Sequence, residues 1–382
     1  MAPLRIAVLG STGSIGRQAV DVITRLPERF RAVGLAAGTN SAVLAEQIAA
    51  VRPAYAWARE RTGALDNSCE SAGAQWLPPG EMVLQEDVDL VLVGTAGSAG
   101  LEPTLGALGA GKLVAIANKE VLVMAGHLVR KALSTGDQLR PVDSEHSAIW
   151  QCLWGEQGHA VRRILLTASG GAFRDFDLDS LQNVTPEQAL DHPTWSMGQK
   201  ITVDSATLMN KGMETIEAMW LFDVPMDSVE VVLHRESIVH SLVEFSDGSV
   251  KAQLGLPDMR LPIQCALAYP ERMPVPPAPQ LDLAAVGSLT FGKPDTSRFP
   301  CLDLAMEAGR KGDTFPAVLA AADEVAVDRF LQGQVGFLDI ARIVEAVLDR
   351  HVPVADPDLG QVLDADKWAR RIAAEQIPMA VR

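Results

Sequence analysis

The sequence predicts an α/β chain in three parts: an N-terminal parallel sheet covered by helices, a central α+β part and a C-terminal helical part. Three observations carry this. First, short and continuously apolar runs at 4–9, 32–37, 90–93 and 113–117 alternate with helix-like stretches at 15–26, 42–51, 102–108 and 121–133. Strands apolar on both faces need cover on both faces, which parallel sheets obtain from crossover helices. Second, the texture changes near residue 150. A strand at 163–168 ends in Ser169-Gly170-Gly171, a polar stretch runs from 175 to 198, a helix covers 203–221, and 229–256 is β-rich. Within that last stretch Asp247-Gly248 separates two alternating runs, the signature of a hairpin. Third, the proline-rich connector 273–280 can continue neither helix nor sheet, and the chain beyond Cys301 is Ala- and Leu-rich with helical periodicity to about Ala380. The expected domains are 1–150, 151–272, a linker at 273–300, and 301–382.

Composition narrows the function. The chain has 382 residues, 48% of them hydrophobic, enough for ordinary cores, and a net charge of −15. Such acidity argues against a general nucleic-acid binder, which needs a basic stripe, and against docking on an anionic membrane. It leaves small anionic ligands open, because charges beyond about 8 Å are largely screened. No apolar run approaches the ~20 residues of a membrane span, and the short apolar run at 6–9 is no secretion signal. Cys69, Cys152, Cys265 and Cys301 are widely spaced, without a CxxC pair, and read as reduced thiols rather than a zinc cluster or disulfide framework. The expectation is a cytoplasmic protein without membrane or nucleic-acid partners.

The first strand runs into Gly10-Ser11-Thr12-Gly13-Ser14-Ile15-Gly16 and then a helix. Glycines at such a turn let backbone N–H groups approach a pyrophosphate seated on the positive helix N-terminus, so a Rossmann-like dinucleotide site is expected. The second strand ends in Gly38-Thr39-Asn40, with no carboxylate to repel a 2′-phosphate, which favours NADP over NAD. The bland reading is that Asn40 simply caps the next helix.

Two other strand ends carry polar clusters, Asn118-Lys119-Glu120 and Asp143-Ser144-Glu145-His146, where ligands collect in an open parallel sheet. Asp143 and Glu145, two apart, are expected on one side of an extended segment. In the helix 205–220, Leu208, Met209, Met213, Ile216, Met219 and Trp220 share one face; Thr207, Asn210, Lys211, Glu214 and Glu217 share the other. Two readings of that polar face stand. It is the solvated side of an amphipathic helix, or it lines a cleft where Asn210 and Lys211 hold a phosphate and Glu214 joins Asp143 and Glu145. Three carboxylates so placed repel by several kcal/mol at an effective dielectric of about 20, and a hard divalent cation, Mg²⁺ or Mn²⁺, removes that repulsion. The irregular string His192-Pro193-Thr194-Trp195-Ser196-Met197-Gly198 reads either as a lid that closes over a ligand or as a loop that buries its Trp permanently.

Together with His240, Leu256-Pro257-Asp258-Met259-Arg260 and Pro300-Cys301-Leu302, these strings resemble the 1-deoxy-D-xylulose-5-phosphate reductoisomerase family over essentially the whole chain. The resemblance implies an NADPH- and metal-dependent enzyme of isoprenoid precursor synthesis, homodimeric, with a central catalytic domain. It implies that Thr12, Gly13, Ser14 and Ile15 bind the NADPH pyrophosphate, with Gly38, Thr39, Asn40, Asn118, Glu120 and Gly198 also lining the cofactor. Asp143, Glu145 and Glu214 would hold the metal. Ser169, Ser205, Asn210 and Lys211 would grip the substrate phosphate beside His192. Lys119, Ser144 and Glu145 would face the reacting carbons, and Trp195 and Met197 would belong to a flap. Lys119, Glu145 and His192 are thus the catalytic candidates, for a rearrangement by retro-aldol cleavage and re-addition followed by hydride transfer. One departure stands out: relatives often carry a basic residue where this chain has Thr39, and a hydroxyl cannot neutralise a 2′-phosphate. Two other readings remain: a different two-domain NADP-dependent sugar-phosphate or semialdehyde dehydrogenase, for which Cys152 is the candidate nucleophile, and a non-catalytic NADP sensor.

Overall fold

The computed structural model describes residues 2–156, 160–273 and 280–376; positions 274–279 of the predicted proline-rich connector 273–280, and the end of the chain at 377–382, lie outside the described residues. The chain groups into two compact units, one of Met1–Val121, His127–Ser147 and Asp258–Ala278, the other of Leu122–Gly126, Ala148–Pro257 and Pro279–Arg382. No described helix is long and apolar enough to cross a membrane.

The first unit is built on seven strands: β1 (Leu4–Leu9), β2 (Phe30–Ala37), β3 (Tyr55–Ala58), β4 (Gln75–Trp76), β5 (Leu90–Val93), β6 (Leu113–Ile116) and β7 (Leu139–Pro141). Their order is β4-β3-β2-β1-β5-β6-β7, and all neighbours are parallel. The chain winds outward from β1 in one direction, then crosses to β5 and winds outward in the other. The crevice beyond the carboxyl ends of β1 and β5 is therefore the topological switch point, where such sheets bind ligands. The apolar runs form strands because both their faces are buried: Ile6, Val8, Leu90 and Leu92 sit in one core, and the alternate residues Ala7, Leu9, Val91 and Val93 are fully buried on the other face. The helix Arg260–Ala268 adds Ile263, Ala266 and Leu267 to that core, and buried Arg140 donates to the Ala266 carbonyl at 2.8 Å. The segment 258–272, placed by the sequence in the central part, accordingly groups with the first unit.

The second unit holds four strands, β8 (Val161–Ala168), β9 (Val229–Leu233), β10 (Val239–Phe245) and β11 (Val250–Leu254), in the order β11-β10-β8-β9. The β8–β9 pair is parallel and the others antiparallel. The expected hairpin joins β10 to β11; Gly248 takes φ +85°, and the Asp247 carboxylate accepts from the Ser249 N–H at 2.9 Å. Ile164, Leu166, Val243 and Phe245 pack with Ile149, Cys152 and Ala218. The helices Cys301–Lys311, Phe315–Leu331, Phe337–Asp349 and Leu359–Glu375 make the C-terminal helical part, grouped here with the β8–β11 sheet.

The single helix expected over 203–221 is two helices, Gln199–Thr207 and Met209–Phe222, which meet at Leu208 with φ +63°. The Thr207 hydroxyl accepts from the Met209 N–H at 3.2 Å, giving the backbone a partner outside the helical ladder. The first of these helices is anchored by buried charge. Lys200 Nζ lies 2.6 Å from Asp204 and 2.8 Å from Asp323 of the helix Phe315–Leu331, with both acidic side chains at 2% exposure or less. Removing the cation leaves two buried carboxylates uncompensated. Lys200→Met is expected to lower stability by about 3 kcal/mol, measured as a shift of the urea midpoint at unchanged slope.

Candidate active site

In the first unit, β1 ends at Gly10, which takes φ +81°; a Cβ there would lie 2.3 Å from the Gly94 carbonyl oxygen at the end of β5. Only glycine permits this approach, which sets the turn at the switch point. Gly13 is the N-cap of the helix Ser14–Arg25, without a side-chain cap and with no acidic residue in the first turn. The positive end of that helix is left for an anion. Thr12 is buried while Gly13 and Ser14 are exposed and Ile15 half-buried. The Thr12 carbonyl accepts from Arg17 Nε at 2.8 Å, which fixes the turn.

Gly38, Thr39 and Asn40 are exposed beyond β2. Asn40 caps the helix Ser41–Val51 through the Val43 N–H at 3.2 Å. Asn118 is buried and committed on three sides. Its amide donates to Thr95 Oγ1 at 3.0 Å and the Gly97 carbonyl at 2.9 Å, and its oxygen caps the helix Lys119–Ala132 through Val121 N–H at 3.2 Å. Lys119 opens that helix with Nζ 3.1 Å from Asp143 Oδ2; their side chains are 7% and 15% exposed. Glu120 is half-buried in the same turn.

The expected extended segment at Asp143 and Glu145 is corrected by the structure. The helix Ser144–Leu153 starts there, and the Asp143 carbonyl accepts from the Ser147 N–H at 2.8 Å. Asp143 thus precedes the helix and Glu145 lies in its first turn, so the two-residue periodicity of a strand does not apply. Ser144 Oγ donates to Glu145 Oε2. An acidic first turn is what the helix dipole favours.

In the second unit, Ser169 follows β8 in a turn whose glycines have φ +86° and +71°. A Cβ on Gly171 would meet the Ser205 carbonyl oxygen at 2.5 Å, so this turn packs directly on the helix that carries Ser205. Three residues beyond Ser205 comes the break at Leu208, then the helix Met209–Phe222. Its first turn holds no acid, and it carries Asn210, Lys211 and Glu214. The solvated-face reading fails here: Lys211 is 4% exposed, Glu214 1% and Glu217 1%. Asn210 Nδ2 donates to Glu214 Oε1 at 2.5 Å and Lys211 Nζ to Glu214 Oε2 at 2.6 Å. The structure therefore brings together residues that the resemblance divides between phosphate and metal.

His192 joins the same turn. Its Nδ1 accepts from the Thr194 N–H at 3.1 Å and the Trp195 N–H at 2.9 Å. The ring proton is consequently on Nε2, which donates to Ser169 Oγ at 3.0 Å. Ser169 Oγ also accepts from the Gly171 N–H at 3.2 Å. With both acceptor positions used, its own O–H is directed to a further acceptor, which suits an anionic oxygen. Burial, with the Arg174 guanidinium nearby, lowers the His192 pKa to about 4. Arg174 Nη1 also donates to the Ser169 carbonyl at 3.1 Å. Sequence reasoning missed Arg174, whose one signal was a cation just after Gly170-Gly171. Trp195 and Met197 are half-buried, and the Trp195 ring centroid lies 6.2 Å from that of His240. Gly198 is exposed and caps the helix Gln199–Thr207 without a side-chain bond.

Because the folded pKa of His192 lies below the unfolded value of ~6.5, the unfolded chain binds more protons in between. Stability from this group is full above about pH 6.5 and is lost as pH falls toward about 4. Acid denaturation of His192→Asn, which keeps a side-chain acceptor for the two N–H groups, is expected to show a shallower slope in that window than the wild type.

Residues 6–126 match the family described as 1-deoxy-D-xylulose 5-phosphate reductoisomerase, 139–222 its C-terminal domain, and 254–372 the DXP reductoisomerase C-terminal domain. The protein of that name from Pelotomaculum thermopropionicum is 53% identical, with 97% of this chain and 98% of the relative covered. The one from Thermomicrobium roseum is 51% identical, with 99% of each covered. Among solved structures, the Zymomonas mobilis enzyme of the same name, in complex with NADPH, superposes with a TM-score of 0.90 at 41% identity over 98% of this chain and 99% of that one. A DOX-P reductoisomerase in complex with NADPH, fosmidomycin and magnesium gives 0.91 at 40% identity over 98% of both chains. The chain belongs to the 1-deoxy-D-xylulose 5-phosphate reductoisomerase family.

Proposed function

We infer that the protein converts 1-deoxy-D-xylulose 5-phosphate to 2-C-methyl-D-erythritol 4-phosphate, using NADPH and a divalent cation, in isoprenoid precursor synthesis. The observation that carries this is the buried constellation of the second unit: Glu214 answered by Lys211 and Asn210, on a helix that begins just beyond Ser205 and the turn of Ser169. A solvated helix or a non-catalytic nucleotide sensor has no use for it. The nucleophilic-cysteine alternative is disfavoured, since burial pushes the Cys152 thiol up to about 11, where the reactive thiolate is scarce.

The residues fit both groups. The uncapped helix start at Gly13 suits the pyrophosphate of NADPH, with Thr12, Ser14 and Ile15 around it and Gly38, Thr39, Asn40, Asn118, Glu120 and Gly198 along the nucleotide. Asp143, Glu145 and Glu214 carry the hard oxygen atoms that would hold Mg²⁺ or Mn²⁺, as the family resemblance implies. When bound, NADPH supplies the hydride and the cation supplies Lewis-acid polarisation of the substrate oxygens. The chain's own groups bind and orient. Ser169, Ser205, Asn210 and Lys211 take the phosphate, with neutral His192 holding Ser169 as a donor. Lys119 Nζ, paired with Asp143, donates to oxygen at the reacting carbons, while Ser144 orients the Glu145 carboxylate. Trp195 and Met197 form the flap that excludes water. The protein acts as a homodimer, a reading supported by the family resemblance, and works in the cytoplasm, where its four cysteines would stay reduced.

Two outcomes are expected. Excess EDTA abolishes substrate-dependent NADPH oxidation at 340 nm, and added Mg²⁺ or Mn²⁺ restores it. Glu214→Gln retains the far-UV spectrum, weakens Mn²⁺ binding measured by calorimetry, and lowers turnover at least about a hundredfold. Sedimentation at twice the chain mass is the matching result for the dimer.

A further inference from the structure

A 2′-phosphate brings a charge of roughly −1.5 to −2, and the turn at the end of β2, Gly38-Thr39-Asn40, has no cation to meet it. The neighbouring strand supplies one. β2 and β3 are parallel with Ala37 opposite Ala58, so the next residues out, Gly38 and Arg59, are also neighbours. The Arg59 N–H donates to the Gly38 carbonyl at 3.1 Å, which fixes Arg59 beside the turn. Its side chain is exposed and, among the described residues, its guanidinium makes no ion pair or hydrogen bond. Arg61, by contrast, is held by Asp66 at 2.6 Å and lies over the Trp76 ring at 5.0 Å. Arg17, on the helix after the glycine turn, is engaged by the Thr12 carbonyl. Arg59 is thus the cation left available at the carboxyl edge where the adenosine ribose of a dinucleotide ends.

We propose that Arg59 reads the 2′-phosphate and sets the preference of this protein for NADPH over NADH. The inference rests on the reading that the Gly10–Gly16 turn holds the dinucleotide. A planar, always-charged guanidinium forms paired hydrogen bonds to phosphate oxygens, a task the Thr39 hydroxyl cannot perform.

The test is equilibrium binding of NADPH, NADH, adenosine 2′,5′-bisphosphate and AMP to the whole protein without substrate. Arg59→Ala is expected to weaken NADPH and the bisphosphate by about tenfold to a hundredfold while leaving NADH and AMP within about twofold. The salt dependence of NADPH binding should become shallower in the same variant. Thr39→Arg in the Arg59→Ala background should restore NADPH affinity, as a defect in folding would not allow. An Arg59→Ala protein that binds NADPH within about threefold of the wild type, or that loses NADPH and NADH alike, overturns the assignment. A wild type that binds none of the four overturns the glycine-turn reading with it.

Discussion

The site depends on one constraint, the burial of Glu214. A carboxylate taken from water costs several kcal/mol even after relaxation, and only close, well-aligned partners repay it. Here the partners come from the preceding turn: Lys211, three residues before, and Asn210, four before, each bonded to a different oxygen. Both lie in the first turn of the helix Met209–Phe222, on the face of Glu214. The helix starts at the break at Leu208, a non-glycine residue in the left-handed region at a cost of about 1–3 kcal/mol. The helix before the break presents Ser205, and the Lys200–Asp204–Asp323 cluster fixes that helix in turn. Each buried charge is answered by another, so the position of Ser205 relative to Lys211 follows from electrostatics as much as from apolar packing.

The glycine turn solves the opposite problem. Three helices of the first unit are closed by side chains, Asn40, Thr62 and Asn118 each accepting a first-turn N–H, while those beginning at Leu101 and Arg260 are not. The helix at Ser14 has no such cap, which forgoes the roughly 0.5–2 kcal/mol of a good N-cap. Its donors stay available for a ligand, and Gly10 brings them to the mouth between β1 and β5. One unit thus keeps an uncapped positive helix end, and the other a buried carboxylate neutralised by its neighbours.

What could be read in the sequence follows from how local each cause is. The runs 6–9 and 90–93 are apolar on both faces, so strands could be placed there, whereas β4 spans two residues and β7, three residues long, carries Arg140 and Pro141, which hide it. The helix face of Asn210, Lys211 and Glu214 was legible because all three follow the break; Thr207, assigned to the same face, belongs to the other helix. Nothing in Thr207-Leu208-Met209 announces a left-handed leucine. The extended reading of Asp143 and Glu145 failed because a helix start and a strand end share the same polar composition. The tautomer of His192 depends on two backbone N–H groups and a serine 23 residues away, a relation that only the fold creates.

The net charge of −15 said nothing against anionic ligands, and the structure gives the reason. The groups that would meet phosphate are short-range donors: an open helix end, a buried lysine, and a serine held as a donor by neutral His192 and the Gly171 N–H. None of them depends on the field of the whole molecule, which screening removes beyond about 8 Å. The two kinds of recognition also differ in what they cost the fold. Lys211 and Glu214 are almost wholly buried and mutually paired, so neither can change alone without stranding the other. Thr39 and Arg59 are exposed at strand ends, where substitutions leave stability nearly unchanged. The chemistry is thereby fixed in the interior, while the choice of nucleotide sits on the surface, where a cation can move from one strand end to its neighbour at little expense.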